Sequence, residues 1–187
     1  MAKRHWTKHD SKIVYENQPF FWVTEDNVTM PDGRLAKYGV VHTHGAVFIV
    51  ALTKAGKFIF VQQERYPIGG ETIEFVAGGL RGGEDPMAQA AVELHEEINA
   101  TAESFKLLGT IVANPSRQQT KLYLVLAEGV DDSALGSHNQ ENNEAINDIQ
   151  VLTPAQVVEL IKHGKLVDSA TLAGLNLYWS QYGFPKL

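Results

Sequence analysis

Glu93, Glu96 and Glu97 crowd the last two turns of a stretch that reads as a glycine-rich loop feeding a helix, Gly78 to Ala100: G-G-L-R-G-G-E-D-P-M-A-Q-A-A-V-E-L-H-E-E-I-N-A. Asp85 is placed to cap that helix, and Pro86 takes its first position, where a missing N–H costs nothing. At about 100° per residue, Met87, Ala91, Leu94 and Ile98 fall on one stripe, expected to face a core, and the three glutamates fall on another within roughly 100° of arc. Carboxylates are disfavoured near a helix C-terminus, where the macrodipole is negative, and Glu93 with Glu97 is a like-charge pair costing roughly 0.2–0.5 kcal/mol. Gln89, Val92, Ala100 and Thr101 stand where a compensating Lys or Arg would be expected. A divalent cation reverses the sign of this arrangement, because Mg²⁺ and Mn²⁺ favour clustered carboxylate oxygens. A solvated acidic face is the plain alternative; the glycines in front, which let backbone approach an anionic ligand, favour the metal.

The same residues resemble the Nudix box of pyrophosphohydrolases: Gly78, five residues, Glu84, seven residues, Val92-Glu93-Leu94, one residue, Glu96-Glu97, one residue, Asn99-Ala100. The family carries Arg where this chain has Val92, and Gly where it has Asn99. Every acidic position of the box is filled. The resemblance implies Mg²⁺ (or Mn²⁺) held by Glu93, Glu96, Glu97 and the Ala77 carbonyl, with Glu96 also among the catalytic residues. In the family the arginine pairs with the box's first glutamate, here Glu84. Valine cannot do so, and Arg81 is the nearest basic residue to replace it; Arg81 is also a candidate for substrate binding. Asn99 matters less, since asparagine tolerates the left-handed conformation of a helix C-cap.

Flanking segments agree with the ADP-ribose and nucleotide-sugar branch of that family. Gln62-Gln63-Glu64-Arg65-Tyr66-Pro67 resembles its R-Q-x-R-Y-P-like segment, which implies that Arg65 reaches the pyrophosphate. A guanidinium suits that task by bridging phosphate oxygens, and an ion pair with a neighbouring carboxylate is the competing reading. Thr72 to Gly78 resembles the E-L-P-A-G segment, with Val76 for proline, and puts Glu74 near the site. A glutamate inside an apolar strand needs a partner whatever its role. Pro115 follows the box by fifteen residues, as in the ADP-ribose branch. The run Gln140 to Ile146 resembles the loop that carries a general base; Glu144 is the better match and Glu141 the alternate. Trp22 and Phe20 lie in a segment resembling the branch's N-terminal sheet and could stack on a base or simply fill a sheet face or dimer contact.

These side chains need a scaffold that the rest of the chain outlines. Residues 13–44 read as a small β unit, with a strand at Phe20–Val23 and a turn at Pro31-Asp32-Gly33 before Lys37–His42. Val47–Leu52 and Phe58–Val61 are apolar on both faces and joined through Lys54-Ala55-Gly56, which implies a sheet covered on both sides by helices. Ser104–Val112 and Thr120–Ala127 are strands, and Gly129–Asn147 is a long polar segment. Pro154–His163 and Ser169–Gln181 are amphipathic helices, with Val157, Val158, Ile161 and then Leu172, Leu175, Trp179 facing inward. The expected fold is α/β: a Nudix α/β/α sandwich with a mixed sheet at 46–187, preceded by an antiparallel β unit at 1–45.

Composition narrows the classes further. A net charge of −6 argues against a nucleic-acid partner. The absence of cysteine excludes disulfides, thiolate metal sites and cysteine nucleophiles. No apolar run reaches membrane-spanning length and the N-terminus has no apolar signal core, so a cytoplasmic location is expected. The family resemblance, from about residue 13 onward, implies a homodimer built through the N-terminal β unit. It also implies hydrolysis of a nucleoside diphosphate joined to a sugar, such as ADP-ribose or GDP-mannose. A nucleoside triphosphate pyrophosphohydrolase and a non-catalytic nucleotide-sugar sensor are the alternatives, the second favoured by Val92.

Overall fold

A computed structural model describes residues 5–81, 83–136 and 145–185. The chain forms two compact units, Met1–His44 with Val112–Lys121, and Gly45–Ile111 with Leu122–Leu187.

The first unit is a three-stranded antiparallel sheet of β1 (Thr7–Asn17), β2 (Phe21–Thr29) and β3 (Leu35–His42) in that order. Gly33 closes the β2–β3 turn at φ 89°, a conformation that disfavours a side chain, and its N–H donates to the Met30 carbonyl. The segment carrying Pro115 packs on β3: the Val41 N–H donates to the Arg117 carbonyl and the Tyr38 hydroxyl to the Ser116 carbonyl. The first strand begins at Thr7, within the unit expected at 1–45 but six residues before the 13–44 stretch that reads as β. Thr7–Asn17 is exposed along its whole length, so no buried face stamps an apolar alternation on Lys8, His9, Asp10 and Lys12.

The second unit carries β4 (Ala46–Thr53), β5 (Phe58–Arg65), β6 (Gly70–Glu74), β7 (Val76–Gly79), α1 (Pro86–Ile98), β8 (Ser104–Val112), β9 (Lys121–Val130), β10 (Ile146–Leu152), α2 (Pro154–Lys162) and α3 (Ser169–Tyr182), with only Val112 at the end of β8 and Lys121 at the start of β9 falling in the first. Its sheet runs β10-β5-β4-β9-β8, with β6 on β5 and β7 on β4. The β4–β9 pair is parallel and β4–β5 antiparallel, so the sheet is mixed.

Alternation along the central strands sorts the core into two layers. Val47, Ile49, Ala51, Ile59, Val61, Val125 and Ala127 pack with Ala90, Leu94 and Ile98 of α1. Val50, Leu52, Phe58, Phe60, Leu124 and Leu126 pack with Val157 of α2 and Leu175 and Trp179 of α3. The middle of each strand therefore buries both faces, which is why Val47–Leu52, Phe58–Val61 and Leu124–Ala127 are apolar without interruption. The result is the α/β/α sandwich. Gly174 lets α3 lie close on the sheet, since a Cβ there would stand 3.0 Å from Phe75 and 3.2 Å from Leu124 and Val50.

Two expectations change. Strand β10 occupies Ile146–Leu152, pairing with β5 from Ile146↔Gln63 to Leu152↔Phe58, where sequence had suggested polar connection as far as Asn147. Helix α1 is also rolled about its axis: Ala90, Leu94, Glu97 and Ile98 are its buried residues, whereas Met87 is 40 % exposed and Ala91 is exposed. No helix among the described residues is long and apolar enough to cross a membrane.

Candidate active site

Arg65, Glu74, Ala77 and Glu93 stand about the place where β4 and β5 part company. These strands pair only at Ala51↔Ile59 and Leu52↔Phe58, next to their hairpin. Beyond that point β6 pairs with β5, from Val61↔Glu74 to Arg65↔Gly70, and β7 pairs with β4, from Ile49↔Val76 to Ala46↔Gly79. One continuous segment thus fills the fork, and it delivers Glu74 to one side and Ala77 and Gly78 to the other.

Glu74 is buried, with its side chain 6 % exposed. Arg65 grips it with both prongs of the guanidinium, Nε to Oε1 at 3.0 Å and Nη2 to Oε2 at 2.6 Å, and the Thr72 hydroxyl donates to the same carboxylate. Burial pushes the Glu74 carboxyl up; the hydrogen bonds from Arg65 and Thr72 and the Arg65 charge outweigh it and hold the carboxyl below its usual range. The Arg65 guanidinium is raised above its ordinary value by those bonds to Glu74, against desolvation, with the charges of Asp168 and Glu97 acting in the same sense. The ion pair weighed for Arg65 is therefore present, while 40 % of its side chain stays open to solvent.

Helix α1 starts as its sequence suggests. The Asp85 side chain accepts from the Met87 N–H at 3.3 Å, and Pro86 occupies the first turn. Its C-cap is Asn99 in the left-handed conformation, φ 53° and ψ 42°, and Asn99 Nδ2 donates to the Ala134 carbonyl. The three glutamates differ in setting: Glu97 is buried, Glu93 half-buried and Glu96 exposed. The Glu93 carboxylate accepts from Gln89 Nε2 at 2.7 Å, an i, i+4 bond, and folds against Gly78. A Cβ on Gly78 would stand 1.8 Å from Glu93 Oε1, so only glycine leaves room for the carboxylate at this strand.

Hard oxygen donors on α1 beside the β7 backbone suit Mg²⁺ or Mn²⁺ in kind. The glycine cradle that admits Glu93 agrees with that donor set. Among the described residues no three acidic or histidine side chains stand gathered as a preformed metal cluster.

Glu84 accepts from the backbone N–H of Arg81 at 2.7 Å, so main chain, and not the Arg81 side chain, supplies this partner. Val92 is 44 % exposed. In the first unit Trp22 stacks on His42, with ring centres 5.3 Å apart and planes 8° apart, and tilts against His44, whereas Phe20 is 61 % exposed in the β1–β2 turn. Glu141 and Glu144 lie outside the described residues.

Sequence reasoning passed over three supporting residues. Thr72 was legible as the same-face neighbour of Glu74, two positions away on a strand, and Gln89 as the residue one turn before Glu93. Thr171 carried no such signal: its hydroxyl accepts from the Phe75 N–H at 3.0 Å, across 96 positions of sequence.

Residues 42–172 match the family model described as the NUDIX domain, and residues 6–41 match the nucleoside diphosphate sugar hydrolase N-terminal domain. The chain is 31 % identical to a methanol dehydrogenase activator of Bacillus methanolicus over 79 % of its own length and 78 % of the relative's. It is 30 % identical to an ADP-ribose pyrophosphatase of Mycobacterium tuberculosis over 94 % of its length and 84 % of the relative's. It is 28 % identical to an ADP-ribose pyrophosphatase of Bacillus subtilis over 78 % of each. A crystal structure of an ADP compounds hydrolase superposes with a TM-score of 0.82 over 97 % of this chain and 96 % of that one, at 18 % identity, which shows a shared fold.

Proposed function

Since the chain belongs to the Nudix family, whose hydrolases generally use divalent metal ions, we propose that it cleaves the pyrophosphate bond of a nucleoside diphosphate linked to a sugar, with ADP-ribose the leading substrate. The observation that carries this reading is the fork between β4 and β5, where a cationic Arg65 oriented by Glu74 lies on one side and Glu93 lies against β7 on the other. The match of residues 6–41 to a nucleoside diphosphate sugar hydrolase N-terminal domain supports the nucleotide-sugar branch, as do two relatives named ADP-ribose pyrophosphatase.

Mg²⁺ or Mn²⁺ would be held by Glu93, Glu96, Glu97 and the Ala77 carbonyl, where it would offset the charge of the diphosphate and act as a Lewis acid. Arg65 binds phosphate oxygens with the part of its guanidinium left open, and Glu74 fixes the plane of that guanidinium. Glu144, or Glu141 in its place, takes the proton of the water that attacks phosphorus. One P–O bond forms, the phosphoanhydride P–O bond breaks, and the bridging oxygen leaves with the second phosphate. Products from ADP-ribose are AMP and ribose 5-phosphate. In this proposal Trp22 and Phe20 stack on the base, and the N-terminal unit joins two copies of the chain. The exposure of Ile13, Val14 and Tyr15 on β1, 54, 51 and 54 %, supports that pairing.

A panel of ADP-ribose, GDP-mannose, UDP-glucose, dinucleoside polyphosphates and nucleoside triphosphates, with Mg²⁺, Mn²⁺ or EDTA, tests the reading. Metal-dependent release of a nucleoside monophosphate from ADP-ribose is expected, together with a strong loss of turnover in Glu144→Gln. Loss in Glu141→Gln alone moves the base three residues. Ligand binding without turnover on any substrate, in a folded protein, overturns the hydrolase reading, and preference for triphosphates overturns its substrate class.

A further inference from the structure

Phe75 is the one residue between β6 and β7, and it pairs with neither β5 nor β4. It sits in the crotch of the fork, wholly buried, so its N–H has no ladder partner and no water to turn to. Thr171 on the first turn of α3, itself 0 % exposed, supplies the acceptor: the Phe75 N–H reaches its Oγ1 at 3.0 Å. Thr171 is held in turn by Asp168, whose Oδ2 accepts from the Thr171 N–H at 2.7 Å as the cap of α3. Gly174, three residues on, receives the Phe75 ring, which also stacks on Phe60 with centres 5.0 Å apart and planes 9° apart. The start of α3 thus grips both the main chain and the side chain of the residue that divides the fork.

That residue sets the spacing of two groups. Glu74, one position before it, orients Arg65. Ala77 and Gly78, two and three positions after it, form the strand on which Glu93 rests. A rotation of the peptide at Phe75 moves one group relative to the other, and misplacement by about 1 Å costs a reaction on the order of a hundredfold.

We infer that Thr171 is a positioning residue for the hydrolysis: through the Phe75 N–H it locks the arm bearing Glu74 and Arg65 in register with the arm bearing Ala77 and Gly78. It touches neither substrate nor metal. The inference rests on the hydrolase reading given above.

Three variants test it: Thr171→Val, which keeps the shape and removes the acceptor; Thr171→Ser, which keeps the acceptor; and Val157→Ala, which opens a cavity in the same core layer under α2. Each is measured for melting temperature, for Mn²⁺ affinity without substrate by the EPR signal of the free ion, and for kcat and KM on ADP-ribose. Removing a residue that supports a ligand set typically costs about 10–100-fold in metal affinity or activity. Thr171→Val is expected to weaken Mn²⁺ binding by about tenfold and to raise KM, Thr171→Ser to stay within about twofold of the wild type, and Val157→Ala to lower the melting temperature alone. Equal Mn²⁺ affinity and KM in Thr171→Val and wild type, or equal losses in Val157→Ala, overturn the inference. Should Thr171→Val fail to fold, Thr171→Ala, which also lacks the acceptor, is judged by the same criteria. A wild type that binds Mn²⁺ but does not turn over any of the panel fails the hydrolase reading, and the Mn²⁺ affinities still decide whether Thr171 positions the site.

Discussion

Replacing Glu74 with glutamine is the most informative perturbation of the site. The change preserves volume and one acceptor oxygen but removes the charge that Arg65 grips at 3.0 and 2.6 Å. Hydrogen bonds to a charged group contribute about 1.5–3 kcal/mol each, and losing one partner of a buried pair costs more than the pair contributes. Against that, the Arg65 side chain is 40 % exposed, and solvent screens the charge it is left with. A net loss of about 2–3 kcal/mol follows. For a chain of 187 residues this lowers the melting temperature by about 5–10 °C.

The pH dependence carries the sign. Glu74 is held below its ordinary value of 4.5 in the folded protein, so its contribution is fully present above about pH 4.5 and fades as pH falls through the depressed value. Urea denaturation of wild type and Glu74→Gln at several pH values is the assay, paired with KM at neutral pH. The stability gap should be full at pH 7 and close on acidification, and KM should rise because the guanidinium loses its orientation. A gap under about 0.5 kcal/mol at pH 7, or one that does not change with pH, refutes the reasoning.

Gly78→Ala should expel the Glu93 carboxylate, since the new Cβ would lie 1.8 Å from its Oε1; a strong fall in kcat with weaker metal binding in a folded protein is expected, read as a metal titration of activity whose midpoint moves to higher concentration. Glu97→Gln removes a buried carboxylate from α1 and should cost at least about a hundredfold in turnover, because a metal's charge stabilisation amounts to several kcal/mol. Near-normal steady-state rates would take Glu97 out of the mechanism. Val92→Arg should leave unfolding free energy within about 0.5 kcal/mol of wild type, because Val92 is exposed and Glu84 is already bonded to the Arg81 N–H. Collapse of the fold on denaturant titration would contradict that placement.

The sequence alone determined the layered fold and the ends of the helix that carries Glu93, Glu96 and Glu97. Unbroken apolar runs at Val47–Leu52 and Phe58–Val61 could only be strands buried on both faces, and Asp85, Pro86 and Asn99 marked the ends of α1 through local backbone chemistry. These signals are written within a few residues and need no distant partner. Tertiary structure decided the rest. The roll of α1 that buries Glu97 and exposes Met87 is set by the sheet beneath the helix, and helical periodicity cannot distinguish adjacent stripes of similar content. The first six residues of strand β1, Thr7 to Lys12, left no mark because no core lies against them. The grip of Thr171 on Phe75 joins residues 96 positions apart, and a hydrogen bond of that span exists only once α3 has packed on the sheet.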